Sequence, residues 1–521
     1  VKKRNRAAMF VLAVSMVTTP VALLHPLSSY AYDGKSSLEP IQLPEDIVHL
    51  LTELKEDYVP LMKDLHVDSY GGTSNSGYVI NLSDRKSIIT TNTTLNISTN
   101  AEGDMTRFVL HDVNRDKTTK INKKEAYQKA VDFIRNYIAV NHVISPQATL
   151  SFDRASELDH LAVVSVYPQL NNTWVDKETA RVMVDAKGQV VYFQQDKVKL
   201  PTPAEVADPS KTVPLEKATK EWQDKVSMEL VYDESAGKLV YVPDQLPTID
   251  ALSGEEVPSV YKTTTNETMK IKGTADMGIW RDTKKMEQML EKDFGLKLNQ
   301  RTYKNVKEDK KYKNSDIDRH EWNASSYQSA WITLDRKTKS PIEFKLDGSV
   351  EKELEKPLTH DEAKDIAVQF VEKYLLSKEQ AFSVKETSLI ENLPGWADQN
   401  LVRPISSFAF HPEIDGIPTK RPLFYMEVDA KKGNVVLVQV NDLPSMPATI
   451  SKDGIVKDEK AKDAYLKEAN LRLAYWYPKV GTHSAKLPEL AYLPTADAKS
   501  LQIDAATGAV EETWLEWKAS D

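Results

Sequence analysis

The sequence contains no cysteine in 521 residues. That removes disulfides, thiolate metal sites and a lipid-modified cysteine together. Glycine is scarce, at 18 residues, and falls in turn-like settings, so no glycine-rich loop is present to cradle a phosphate. The ten histidines are scattered singly and no His-Glu-x-x-His occurs, which excludes the common zinc-protease signature. Excess basic charge is missing too: 68 Lys and Arg against 77 Asp and Glu leave −9, so the basic face that nucleic acid requires is not expected. Long apolar runs are limited to one, residues 7–24.

That one run follows Lys2, Lys3, Arg4 and Arg6 and precedes Ser29-Tyr30-Ala31, small residues placed for cleavage after Ala31. The stretch 1–31 reads as a signal peptide, with Pro20 and the cleavage site favouring removal over an uncleaved anchor. Val1 fits an alternative bacterial start codon. The expectation is an extracellular or cell-wall-associated protein with no membrane segment in its mature form. The leader holds four bases and no acids, so the remainder carries −13. A mildly acidic surface favours solubility and says little more.

What the chain does have is a recurring turn phrase. Asp185-Ala-Lys-Gly188, Asp250-Ala-Leu-Ser-Gly254, Asp429-Ala-Lys-Lys-Gly433 and Asp504-Ala-Ala-Thr-Gly508 each follow an apolar stretch. Asp bonds its own backbone in a turn, and Gly accepts the positive φ that a short hairpin loop needs. The two halves also align. Asn122 to Tyr137 matches Thr359 to Tyr374, and Leu239-Val-Tyr-Val-Pro243 matches Leu490-Ala-Tyr-Leu-Pro494. Ile249-Asp-Ala matches Ile503-Asp-Ala, and Leu95 to Asp112 more faintly resembles Trp331 to Asp347.

These matches predict six degenerate modules in two duplicated halves: 32–120, 121–200, 213–260, 275–350, 357–443 and 451–517. Each module is expected to be one helix laid on a small antiparallel sheet, an α+β layer. Asn122 with Glu125 and Thr359 with Glu362 fit capping boxes. Ala126, Ala130, Phe133, Ile134, Tyr137 and Ile138 follow at helical spacing, as do Ala363, Ile366, Ala367, Phe370, Val371 and Tyr374. Strands rich in Val and Phe follow each helix to receive that stripe. Leu200-Pro-Thr-Pro203 and Leu443-Pro-Ser-Met-Pro447 read as extended connectors, and Lys304–Lys313 as a solvated loop.

Capped helix, Asp-Ala-x-x-Gly hairpin and Leu-x-Tyr-x-Pro segment together resemble the YcdB/YcdC repeated-domain family of secreted bacterial proteins, over about 120–260 and 357–515. That resemblance implies units similar to PepSY modules, the helix-on-sheet units of protease propeptides. It implies no catalytic residues and no cofactor.

Chemistry is thin elsewhere. Asp316-Ile-Asp-Arg-His320-Glu321 could offer carboxylates to Ca²⁺, but Glu321 stands where an EF-type loop needs Gly, so a solvated charged loop is expected and no metal site is assigned. Ser83-Asp-Arg-Lys86 fits Ser-x-x-Lys without the Lys-Thr-Gly strand that such enzymes need. Gly72-Thr-Ser74-Asn-Ser76 lacks the final Gly of a nucleophile elbow and reads as a loop.

Trp174, Trp222, Trp280, Trp322, Trp331, Trp396, Trp476, Trp514 and Trp517 are expected chiefly at sheet edges and seams. Trp396, between helix and strands, is the best candidate for an exposed binding aromatic. Trp280, near the junction of the halves, is either a second such aromatic or a pin between them.

The expected function is a secreted, non-enzymatic protein that binds another protein by a sheet edge or a face between modules. The PepSY analogy implies an extracellular peptidase as partner. Adhesion to cell-wall polymer through exposed aromatics is the alternative, and a hydrolase with dispersed carboxylates is the third reading.

Overall fold

The computed structural model describes residues 43–512, apart from 74–76, 85–92, 102, 113–114, 116–118, 120, 141–148, 153–155, 159–160, 197–199, 264–266, 297, 299–302, 306–316, 326–327, 349–353, 390–392, 398–403 and 481–482. The leader 1–31, Trp514 and Trp517, Ser74, Ser76, Lys86, Asp316 and residues 306–313 of the charged loop therefore lie outside the described residues.

The class is mixed α+β, with mostly antiparallel sheets and few helices. The principal helices are Glu45–Glu53, Lys123–Val140, Leu215–Lys225, Thr283–Phe294, His360–Phe370 and Asp458–Glu468. Local chemistry sets their starts. Asn122 Oδ1 accepts the Glu125 N–H at 3.4 Å. At His360–Phe370 the box is reciprocal: Thr359 Oγ1 accepts the Glu362 N–H, and Glu362 accepts the Thr359 N–H at 2.8 Å.

The sheets are larger than the small ones expected. In one, strands run in the order Gly77–Ser83, Thr93–Thr99, Met105–Asp112, Val190–Gln195, Ala180–Asp185, Leu161–Leu170. In the other, the order is Ile317–Ser325, Gln328–Asp335, Pro341–Gly348, Asn434–Val440, Phe424–Asp429, Ile405–Ile414, Gln380–Leu389. Each sheet joins a meander to the strands beyond the next helix, through Met105–Asp112 on Val190–Gln195 and Pro341–Gly348 on Asn434–Val440. Joining them buries two strand edges that separate units would leave open. Helices cover one face. Phe133 and Ile134 meet Phe193, Val182 and Phe108, while Phe370 and Tyr374 meet Phe344, Phe410 and Met426.

The third core is built differently. Ser227–Asp233 and Lys238–Gln245 form one hairpin, and Leu471–Trp476 with Glu489–Pro494 form another. Each hairpin takes its next strand from the other. Ile249–Asp250 pairs with Glu489–Pro494, in register Ile249 to Tyr492, and Leu501–Asp504 pairs with Lys238–Gln245, in register Ile503 to Tyr241. The side bonds match as well. Tyr241 donates to the Val456 carbonyl at 2.8 Å, and Tyr492 donates to that of Val213 at 2.6 Å. Ala251 N–H reaches the Leu490 carbonyl at 3.0 Å, and Ala505 N–H that of Leu239 at 3.1 Å. Trp222 and Tyr465, one from each helix, share the core between them. Thr173–Val175 then pairs in parallel with Leu471–Trp476, so the final segment also extends the first sheet to thirteen strands.

Removing residues 449–521 should therefore leave Lys238–Gln245 with one neighbour and expose Trp222 and Tyr241. The expected outcome is strong binding of a hydrophobic dye and loss of amide protection in 227–250, read by hydrogen exchange. Unchanged protection there would show that the exchanged strand carries no stability.

Candidate functional site

The four turn phrases fold as hairpin loops. In each, the Asp side chain accepts backbone N–H bonds: from Lys187 and Gln189 at Asp185, from Leu252 and Ser253 at Asp250, from Lys431 and Lys432 at Asp429, and from Ala506 and Thr507 at Asp504. Gly188, Gly254, Gly433 and Gly508 all take positive φ. Two further loops escaped the sequence pattern. Asp233 caps Ser235 and Ala236 before Gly237, and Asp335 caps Lys337 and Thr338 before Lys339 at φ 60°. Searching for Asp-x-x-x-Gly without the Ala would have found the first. The second places Lys where Gly is comfortable.

Trp280 lies in the core of its own half. It is 1 % exposed and donates its indole N–H to the Tyr374 carbonyl at 2.9 Å. The ring is enclosed because its 3₁₀ turn, Met277–Arg281, closes over the end of the helix in its own half. It pins that half internally. Trp396 is half-buried, packed with Val260, Leu393 and Ala397 against Val480. The buried carboxylate of Asp318 is held by Arg336 and Lys339.

Two tryptophans that the sequence reading did not single out lie on the sheet faces that, among the described residues, turn away from the helices. Trp174 stacks on Tyr167 at 4.5 Å, and the Arg472 guanidinium lies 3.5 Å from its centre. Trp331 sits between Arg319 at 5.3 Å and Lys345 at 4.8 Å, on neighbouring strands to either side. Strand alternation puts these residues opposite Val164, Val166, Ile332 and Phe344, which face the helices. The neighbouring groups pack against both indoles and restrict them.

The densest reactive cluster also went unread in the sequence. Ser388 Oγ lies 3.3 Å from His360 Nε2, and His360 Nδ1 lies 2.9 Å from Glu386. Nucleophile, base and carboxylate are thus in the order that acyl transfer uses. The serine is set within a strand. Ser388 is 6 % exposed and sits inside a ladder, paired with Ser406 on one side and Lys262 on the other. That ladder engages the adjacent backbone, where a nucleophile turn would leave N–H groups free for an oxyanion. Glu386 is 4 % exposed, and His360 covers it at the helix start.

A polar seam joins the two halves. Lys385 reaches Glu229 at 2.6 Å and Asp244 at 2.8 Å; Lys420 reaches Asp233 at 3.1 Å; Arg421 pairs with buried Glu234. In these pairs the acids come from the hairpin 227–245 and the bases from 380–421, whereas Lys238 of the same hairpin pairs the other way, with Asp504 and Glu511. Burial works to raise the Asp233 carboxyl, but Lys420 and two backbone N–H groups hold it below the ordinary range. Beside this seam, burial pushes the His411 imidazole down to about 4, although its Nδ1–H is donated to the Thr419 carbonyl at 2.8 Å.

With the geometry in place, comparison with known proteins adds one finding. Residues 255–441 match the YcdB, YcdC repeated domain. The match supports the resemblance to that family, across roughly a third of the chain. It takes in the whole eleven-stranded sheet and both helices that cover it, Thr283–Phe294 and His360–Phe370. The boundary differs from the sequence reading, which placed the resemblance on 120–260 and 357–515. The repeated domain follows a complete sheet with its core, where the local motifs followed a helix and its hairpin. No curated protein matches the chain.

Two measurements test this account. Gly188→Ala has space for its Cβ but a φ of 75°, so it should cost about 1 kcal/mol in chemical denaturation. For His411 the lowered value means that stability is complete above the ordinary 6.5 and falls as pH drops from there towards 4, where the unfolded chain alone takes up a proton. Asp504, held at about 2 chiefly by the Lys238 hydrogen bond, loses its contribution lower, between 3.8 and 2. His411→Gln should flatten the upper limb by about 3 kcal/mol and leave the lower limb intact.

Proposed function

We propose that the chain is an exported, non-enzymatic binding protein made of six PepSY-like modules in two duplicated halves. The recurrence of one strand order in the two large sheets supports the duplication. A protein partner is received on the sheet faces that turn away from the helices, and by analogy with PepSY units it is an extracellular peptidase that this chain restrains or escorts. Fold analogy alone is weak warrant, so the reading leans on one observation: each of those faces carries a Trp held by neighbouring side chains, with Arg472 at one and Arg319 at the other. Preorganised Trp, Tyr and Arg on a broad face are the composition of protein-binding hot spots.

Adhesion to a glycan is less well supported by the same geometry. A sugar stacks on a bare indole face, and two neighbouring side chains lie against each of Trp174 and Trp331. A serine hydrolase built on Ser388, distinct from the reading with dispersed carboxylates, would need a responsive hydroxyl, which the ladder setting disfavours.

The mature chain should retain a secreted peptidase from culture medium and alter secreted proteolysis, with Trp174→Ala and Trp331→Ala each weakening capture at least about tenfold. It should stay in the supernatant when peptidoglycan is sedimented. No effect on proteolysis, with no peptidase retained, overturns the proposal. A fluorophosphonate probe should leave Ser388 unlabelled; labelling that vanishes in Ser388→Ala would instead establish an enzyme.

A further inference from the structure

The exchange between the two hairpins has the form of an isologous contact, in which the same residues appear on both sides. Ile249 stands to Tyr492 as Ile503 stands to Tyr241. Val213 stands to Tyr492 as Val456 stands to Tyr241, and Ala251 to Leu490 as Ala505 to Leu239. Six contacts thus fall into two equivalent sets of three, although all the residues belong to one chain. Two-fold pairing of this kind is what two identical subunits build when each lends a strand to the other.

We propose that this surface is a self-recognition interface, and that the partner it fits is a second copy of this chain. In the closed molecule the first half meets its own second half. In a pair of chains, each first half would meet the second half of its neighbour, with the same strand partners and the same seam of Lys385, Lys420 and Arg421 against Glu229, Asp233 and Glu234. No contact across the interface is lost, because all of them join residues on opposite sides of a single connector.

That connector is short. Val257 N–H is bonded to the Thr248 carbonyl and belongs to the first half, while Tyr261–Thr263 pairs with Gln380–Leu389 and belongs to the second. Only Pro258, Ser259 and Val260 lie between, and Pro258 cannot fold back freely because its φ is fixed. The balance between closed monomer and exchanged pair is therefore set by the effective concentration that these residues impose. This inference stands apart from the peptidase reading, since it needs neither sheet face.

The full chain carries the test. Two differently tagged copies are unfolded together and refolded at low and at high concentration, and their masses are read by sedimentation velocity. Monomer is expected from dilute refolding, and a dimer containing both tags from concentrated refolding. Deleting Pro258 and Ser259 should lower the dimer dissociation constant at least about tenfold, and a flexible Gly/Ser insertion after Ser259 should raise it by a similar factor. The insertion places no strain on the fold, so it remains informative if the deletion fails to fold. Monomer at every concentration overturns the proposal, and so does a dimer whose population ignores connector length.

Discussion

Two short strands, Ile249–Asp250 and Leu501–Asp504, hold the arrangement together, because each completes a sheet that begins in the opposite half of the chain. A hairpin of two strands is marginal in water; it needs a third strand or a packed helix to persist. Here the third strand comes from more than 200 residues away, and it brings the turn aspartate and alanine that follow it. Ala251 and Ala505 are wholly buried beneath those contacts, which explains why the turn phrase carries a small residue after the Asp at these two loops. The core between Trp222 and Tyr465 forms only when both halves are folded and docked.

The seam of ion pairs adds direction to that docking. Apolar residues such as Ile503 and Tyr241 would tolerate sliding along the strand, since burial is not directional. Glu234 is buried against Arg421, and Lys385 sits between Glu229 and Asp244, so a displaced register would strand charges away from water. Breaking a buried pair costs more than the pair contributes, which makes such groups good at rejecting wrong alignments. Whether they add net stability is a separate question from the register they enforce.

The parts of this molecule that follow local rules were readable from sequence. Thr359 with Glu362 is a capping box in both the sequence and the structure, and the four Asp-Ala turns bend at the glycines named for them. Asp335 to Lys339 was missed because its loop keeps the capping Asp and replaces the Gly. The match of Ile249-Asp-Ala to Ile503-Asp-Ala was visible, but its meaning was not. Periodicity says which face of a strand is buried and nothing about which distant strand lies beside it. The same limit hid the candidate surfaces. Trp174 and Trp331 resemble any half-buried strand tryptophan until Arg472 and Arg319, remote or offset in sequence, are seen against them. Trp280 misled for the converse reason: a glycine-flanked Trp near a junction looks exposed, and only the Tyr374 carbonyl shows where its N–H goes.

The large sheets follow from the same economy of edges. A small helix-on-sheet unit repeated along a chain would present two open edges per copy, each a template for unwanted pairing. Fusing Met105–Asp112 to Val190–Gln195, and Pro341–Gly348 to Asn434–Val440, removes edges in pairs. The parallel join of Thr173–Val175 to Leu471–Trp476 removes one more. Among the described residues His66–Thr73 still pairs on one side only, and it is interrupted by a register shift between Val67 and Ser69 and by adjacent glycines at 71 and 72. A bulged, glycine-bearing edge is a poor template for another strand. Other strands also form a ladder on one side only, Tyr303–Asn305 and Ser227–Asp233 among them, so edges remain beside the sheet faces that turn away from the helices. The indoles of Trp174 and Trp331 stand on those faces, each held by neighbouring side chains rather than by the contacts that close the fold.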